Sequence, residues 1–203
     1  AGGKHDIGVI IQAETAQKAQ WLKLSEQNRL YDKIETVTAR QLAGTGKLSA
    51  LKATDDVDTA RRLLKHIVIL GTYIKRRSNL VFVCDKAEDI DTTELRLSLF
   101  ESAESLRLSD IRCAVQITDT AKIPSASAVA IYDAFEAIID ATLPGLQEIL
   151  FCAEHTAQGW GLRCSVQCTD APAALPGLPQ MQLERDDDGR LYFTMFPAEG
   201  GGL

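Results

Sequence analysis

Histidine is nearly absent, at 3 of 203 residues. That scarcity argues against a histidine-based metal shell. The five cysteines are Cys84, Cys113, Cys152, Cys164 and Cys168; their number is odd and no C-x-x-C pair occurs. Most stand in apolar surroundings, so buried reduced thiols explain them better than disulfides or zinc. Cys164 and Cys168 share one face of a strand, but two ligands do not make a site, and no metal is expected. No apolar run approaches the roughly 18–20 residues that span a bilayer, and no signal-peptide pattern is present. The expected setting is the cytoplasm, with no membrane contact by this chain itself, which could still be the inner portion of a membrane sensor protein. A basic excess is missing too. The net charge is −6 and the one dense basic cluster is Lys75-Arg76-Arg77, so nucleic acid is disfavoured.

What is present begins with helix formers. Gln, Ala, Lys, Leu and Glu dominate from Gln12 to Arg29, and a long helix is expected from about Lys4 to Leu51. At about 1.5 Å per residue it would run about 70 Å, too long for one small domain to cover. Gly44 and Gly46 weaken it locally. Gly44-Thr45-Gly46-Lys47 looks like a phosphate loop but fails: Gln41 stands where the first Gly is needed, and Leu48 follows the Lys. Residues 27–77 read as a helical hairpin. One arm carries Leu30, Ile34 and Val37; the other carries Ala60, Leu63, Ile67, Leu70 and Ile74. Those spacings of three and four make an a/d seam. Thr54-Asp55-Asp56-Val57-Asp58 forms the turn and caps the second arm. Two helices bury only one seam, so a homodimeric four-helix bundle is expected.

After Asp85-Lys86-Ala87-Glu88-Asp89 the composition changes. Thr92-Thr93-Glu94 opens a helix to about Leu108. Cys113, Val115 and Ile117 alternate as a strand. Pro124-Ser125 starts a helix to Thr142, ended by Pro144-Gly145. Strands follow at Ile149–Glu154 and Leu162–Thr169, joined by a turn at Gly159-Trp160-Gly161. The last hairpin pairs Met181–Arg185 with Leu191–Phe196 across Asp186-Asp187-Asp188-Gly189. The fold class is α+β, a helical hairpin followed by a small sandwich with helices on one face of a mixed sheet. The expected division is a hairpin with its N-terminal signalling helix over 1–85 and the sandwich over 86–203.

This order resembles a bacterial sensor histidine kinase, with a dimerisation and phosphotransfer hairpin and a Bergerat-type ATP-binding domain. The resemblance covers roughly residues 20–200. Asn28-Arg29-Leu30-Tyr31-Asp32-Lys33-Ile34 is similar to the phosphoacceptor box R-x-x-H-D-x-L-G. Residues 130–142 resemble the N-box helix E-A-x-x-N-A-x-x-H. Leu191-Tyr192-Phe193-Thr194-Met195-Phe196-Pro197 resembles the closing strand. The resemblance puts Tyr31, beside Asp32, where the acceptor His should be, and a phenol forms no phosphoimidazole. It puts Asp133 at the acidic base and Ala137 at the Mg²⁺-holding Asn; Ala137 offers no oxygen. Glu136 lies about 100° aside on the helix. Asp170 matches the adenine-reading Asp, but no glycine box follows. About ten residues separate it from the last hairpin, too few for a lid and a helix of ordinary length.

The resemblance therefore implies a degenerate module that dimerises and contacts other proteins, with no cofactor and no ATP turnover. The alternative is a kinase that binds ATP with Mg²⁺ near Asp133, Glu136 and Asp170 and phosphorylates itself or a response regulator. A narrower alternative is a phosphotransferase using His66, flanked by Lys65 and Ile67 and thus without an acidic neighbour in sequence. His5-Asp6 has the acceptor dipeptide but stands outside the hairpin. Lys75, Arg76 and Arg77 either face water near a helix end or form a docking patch for an acidic receiver domain.

Overall fold

The computed structural model describes Lys18 and residues 53–118, 122–170 and 181–196, and Asp56 caps the first helix whose bounds lie among them. Contacts divide the chain into Ala1–Gly46 and Lys47–Leu203, and the elements named here belong to the second unit. The first hairpin arm, Tyr31, Asp32 and His5 lie outside the described residues.

Helix α1 spans Val57–Cys84, and the Asp56 carboxylate accepts the Thr59 amide at 2.9 Å. This is the expected cap, satisfying one of the donors a helix leaves unpaired at its start. Strand β1 (Asp89–Asp91) is short and runs into α2 (Thr92–Arg107), capped by Asp91 on the Thr93 amide. Leu95, Leu99, Ala103 and Leu106 form its buried stripe. Asp110, in the left-handed region at φ 66°, ends that turn, and Lys65 of α1 donates to the Ser109 carbonyl at 3.0 Å.

Strands β2 (Arg112–Ile117) and β3 (Lys122–Pro124) follow, then α3 (Ser125–Thr142), a 3-10 turn at Leu143–Gly145, β4 (Leu146–Thr156) and β5 (Gly159–Cys168). Strands β6 (Gln182–Arg185) and β7 (Leu191–Met195) close the described chain. The main sheet has the order β2-β4-β5-β7-β6. β2 and β4 are parallel and the other pairs antiparallel. A parallel neighbour needs a crossover, and α3 supplies it.

One sheet face is dry. Ile149, Phe151 and Ala153 of β4, Leu162, Cys164 and Val166 of β5, and Leu191, Phe193 and Met195 of β7 are buried. Their period of two is the alternation visible in the sequence. Helices α2 and α3 supply the opposing layer through Leu95, Leu99, Ile131, Phe135 and Ile138. Burying one such side chain stabilises by roughly 1.5–3 kcal/mol. The other face carries ion pairs such as Arg163–Glu154 at 2.7 Å and Arg112–Glu148 at 3.0 Å. No helix among the described residues is long and apolar enough to cross a membrane.

Helix α1 packs on α2 and α3, and its most buried apolar residues are Ile69, Tyr73 and Leu80. The expected seam residues Ala60, Leu63, Ile67, Leu70 and Ile74 are half-buried, and their expected counterparts on the first arm lie outside the described residues. Leu70 and Ile74 pack at the edge of the contact with α2 and α3, while Leu64 and Val68 stay exposed. Two differences from the sequence expectations matter. First, β1 and β3 pair as an antiparallel two-stranded sheet, too short to show periodicity. Second, the β4–β5 turn falls at Ala157-Gln158. Gly159, Trp160 and Gly161 belong to the strand, where a Cβ at Gly161 would run into the Phe196 ring and the Met195 carbonyl. Helix α1 stands in the same unit as the sheet.

Candidate functional site

Helix α3 is amphipathic in an unusual sense. Its apolar sides face the sheet and α2, while Asp133, Glu136 and Asp140 follow at spacings of three and four. That spacing puts all three carboxylates on one face. Asp133 and Asp140 reach across to α1. Helix α1 runs antiparallel to α3, so its Arg77 and Tyr73 meet Asp133 at the middle of α3, and its His66 meets Asp140 near the end.

The contact at Asp133 is two-pronged. Arg77 Nε donates to Asp133 Oδ1 at 2.6 Å and Arg77 Nη2 to Oδ2 at 2.8 Å. Tyr73 donates its hydroxyl to Oδ1 at 2.9 Å. The guanidinium fork matches a carboxylate in two parallel bonds, among the strongest charge-assisted geometries. The side chains are 16% and 33% exposed, so water screens the pair only in part. Burial acts to lower the Arg77 pKa, but the Asp133 hydrogen bond and charge outweigh it and hold Arg77 above its ordinary value. Tyr73 also stacks on Tyr132, with ring centroids 5.4 Å apart and planes 13° off parallel. Tyr132 in turn lies 2.6 Å from the Ser102 hydroxyl. Burial pushes the Tyr132 phenol well above its ordinary pKa against that bond, so it stays neutral.

Next to Asp133, Arg76 pairs with Glu101 of α2. Lys65 pairs with Asp110 at 2.7 Å. Of the expected docking residues Lys75, Arg76 and Arg77, Lys75 is exposed, while Arg76 and Arg77 are half-buried and paired with Glu101 and Asp133. The cause is helical phase, since consecutive residues point about 100° apart.

His66 Nε2 lies 3.2 Å from Asp140 Oδ1, with the His66 side chain 20% exposed. The acidic neighbour missing from its sequence flanks thus arrives from α3. Between them lies a cleft lined by His66, Leu70, Glu136, Ile139, Asp140 and Leu143. The cleft is partly open and has a volume of about 20 Å³, room for about one water molecule.

Asp170 does not join this group. It is exposed after β5 and stands beside the turn at Gly145, where a Cβ would meet the Thr169 hydroxyl and the Asp170 amide. Thr169 donates its amide to the Gly145 carbonyl at 3.0 Å. From Asp133 to that turn the helix advances roughly 15 Å or more. The three residues expected near a nucleotide are thus split: Asp133 and Glu136 face α1, and Asp170 marks the far end of α3. No group of three or more potential metal ligands occurs among the described residues. All five thiols are free; burial pushes Cys113 up to about 11 and Cys164 well above its ordinary value.

Sequence reasoning found Asp133 and His66 but not their partners. Arg77–Asp133 and His66–Asp140 close over 56 and 74 residues. The available signal was the acidic row on an otherwise apolar helix, which needs a cationic neighbour.

No family model matches the chain, and no curated protein matches it. Solved structures similar to it are histidine kinase and phosphotransferase domains. One is a bacterial phosphotransferase, 12% identical over 82% of this chain and 91% of that one, with a TM-score of 0.46. Another is the histidine kinase domain of a blue-light-activated kinase of Erythrobacter litoralis, 10% identical over 73% and 91%, with a TM-score of 0.47. A third is the histidine kinase ThkA in complex with the response regulator TrrA, 16% identical over 85% and 65%, with a TM-score of 0.34. At these values the likenesses transfer neither a residue's role nor an activity.

Proposed function

We propose that the chain is a histidine-kinase-like signalling module that dimerises and acts through protein contacts, without turning over ATP. The observation behind this reading is the state of Asp133. Both its oxygens are engaged by Arg77, and one by Tyr73 as well, so the carboxylate that would serve as base in such a kinase acts as a structural counter-ion. The separation of Asp170 from Asp133, and the short stretch 171–180 where a lid would need to fit, point the same way. The test is an incubation with Mg²⁺ and labelled ATP. Neither ADP release nor protein-bound label is expected; label on the chain would select the kinase reading. Sedimentation equilibrium is expected to give twice the 22.2 kDa of one chain, and a monomer would contradict the dimer. A response regulator is the partner class in this reading, the kind of protein with which ThkA is in complex.

One observation favours a second reading. His66 has gained an acidic partner in Asp140, the arrangement that orients an imidazole for proton or phosphoryl transfer. In that reading the sheet domain is a prop and His66 passes phosphate between receiver domains. It requires acid-labile phosphate on His66 after incubation with a phosphorylated receiver domain, lost in His66→Gln. The neighbouring Asp140 and Glu136 would repel that phosphate, which ranks this reading second.

A further inference from the structure

Strand β2 is an edge of the main sheet: among the described residues only β4 pairs with it. The direction of its peptide groups follows from one bond. The Thr118 amide donates to the Ala153 carbonyl of β4 at 2.9 Å, and successive residues of a strand turn their peptide groups to opposite sides. Those of Ala114, Gln116 and Thr118 therefore face β4, and those of Cys113, Val115 and Ile117 face outward. One outward group is covered: Arg107 of α2 donates its Nε to the Cys113 carbonyl at 3.0 Å. Among the described residues, the outward groups of Val115 and Ile117 have no hydrogen-bond partner. Sheets blunt an exposed edge with a charge or a covering element. Here the guard stops after Cys113.

One side of α2 roofs that edge. Arg96, Phe100, Ala103 and Arg107 follow at spacings of four, three and four, so they share a side. The bond from Arg107 to Cys113 shows that this side is turned to the edge. The short turn at 108–111 sends β2 back along α2. Matching helix rise to strand rise from Arg107 and Cys113 puts Phe100 over Val115 to Ile117 and Arg96 past Ile117. Phe100 is 41% exposed. Val115 and Ile117 are half-buried on the core side of the strand. The slot has peptide groups along its floor, an aromatic ring above them and an arginine toward each end. Glu104 pairs with Arg107 at 3.0 Å, but none of the four residues on the roofing side is a carboxylate, in a chain of net charge −6.

We propose that the β2 edge is a docking slot for an extended, acidic segment of a partner protein, which adds to the five-stranded sheet as a further, antiparallel strand. Its backbone bonds the outward groups of Val115 and Ile117. Its alternate aliphatic side chains pack beneath Phe100, and its flanking carboxylates meet Arg96 and Arg107. In strand addition the main-chain bonds supply affinity and the alternate side chains specificity. The slot lies on the side of α2 away from Glu101, which pairs with Arg76 of α1. It goes beyond the functional reading above and holds whether or not the chain turns over ATP.

The test uses the full chain and a synthetic probe, acetyl-Glu-Asp-Ile-Thr-Val-Thr-Ile-Glu-Asp-amide, read by calorimetry and by amide exchange in NMR. Saturable binding is expected, with exchange at the Val115 and Ile117 amides slowed by about tenfold or more. Raising salt from about 0.05 to 0.5 M is expected to weaken it by about threefold or more. In the bound strand the Ile and Val amides face β2 and the Thr amides face away. Methylating the Ile and Val nitrogens is expected to weaken binding by about tenfold or more; methylating the Thr nitrogens should leave it within about threefold. Phe100→Ala is expected to weaken it by about fivefold, and if that variant does not fold, the two methylated probes decide. No binding up to about 2 mM, or equal loss from both methylated probes, would overturn the proposal. So would slow exchange at Val115 and Ile117 without the probe: dependent on protein concentration, it would mean that a second copy covers the edge, and independent of it, that another segment of this chain does.

Discussion

Helix α3 has two working sides, and they are built from different chemistry. Toward the sheet, Phe135 meets Phe151 edge to face at 4.9 Å, and Ile131, Phe135 and Ile138 are almost wholly buried. Toward α1, the same helix offers Asp133 and Asp140, which meet Arg77 and His66. The first side is set by shape and apolar area. It tolerates no water and little change in volume. The second is set by charge pairs at the edge of solvent, whose net worth is the difference between Coulomb gain and desolvation. A dry interface secures the fold. A charged one fixes orientation, and here it does so by engaging both oxygens of Asp133.

The comparison is broken most severely on the dry side. Phe151→Ala leaves a void among Phe135 and its neighbours and is expected to cost about 3–5 kcal/mol in urea denaturation. A cost near 1 kcal/mol would mean the site collapses and the core is less tightly packed than described. On the charged side, Arg77→Ala leaves Asp133 half-buried without its fork and is expected to cost about 2 kcal/mol, less than the roughly 3–5 kcal/mol for a fully buried pair. The double change Arg77→Met with Asp133→Leu sharpens the contrast. It removes both charges and is expected within about 1 kcal/mol of the original, whereas either single change is costly. Gly161→Ala tests close approach within the sheet. Its methyl would meet the Met195 carbonyl and the Phe196 ring, for an expected loss of about 1–2 kcal/mol.

The smallest effect lies at the helix starts. The Asp56 and Asp91 carboxylates accept the amides of Thr59 and Thr93, which holds their pKa values below the ordinary 3.8. A depressed folded value stabilises the fold above the unfolded pKa, and that stability is lost as pH falls through the folded value. Denaturation midpoints should therefore drop as pH is lowered past 3.8, and Asp56→Ala with Asp91→Ala should flatten that part of the profile. An unchanged profile would remove the caps from the account.

The same contrast decides what could be read from the sequence. The strands of the main sheet and all three described helices announce themselves by period, because Ile149, Phe151 and Ala153 alternate and Leu95, Leu99, Ala103 and Leu106 recur at helical spacing. Asp56 and Asp186-Gly189 are legible because caps and tight turns act over a few residues. Strands β1 and β3, of three residues each, carry too few positions to show a period. The face of α1 that meets α2 and α3 was not legible, because the helix carries apolar residues on several sides and only its partners select among them. The site was least legible. Asp133 was found through a resemblance, but what it binds is Arg77, 56 residues away, and no local pattern encodes that distance.

The most direct test of the account is a calorimetric titration of the purified chain with Mg-ATP, with ADP and a non-hydrolysable analogue alongside. With Asp133 held by Arg77 and Asp170 at the far end of α3, no binding heat is expected up to millimolar nucleotide. Magnesium-dependent binding in the micromolar range would contradict it, because a nucleotide pocket would then exist that does not use the arrangement described.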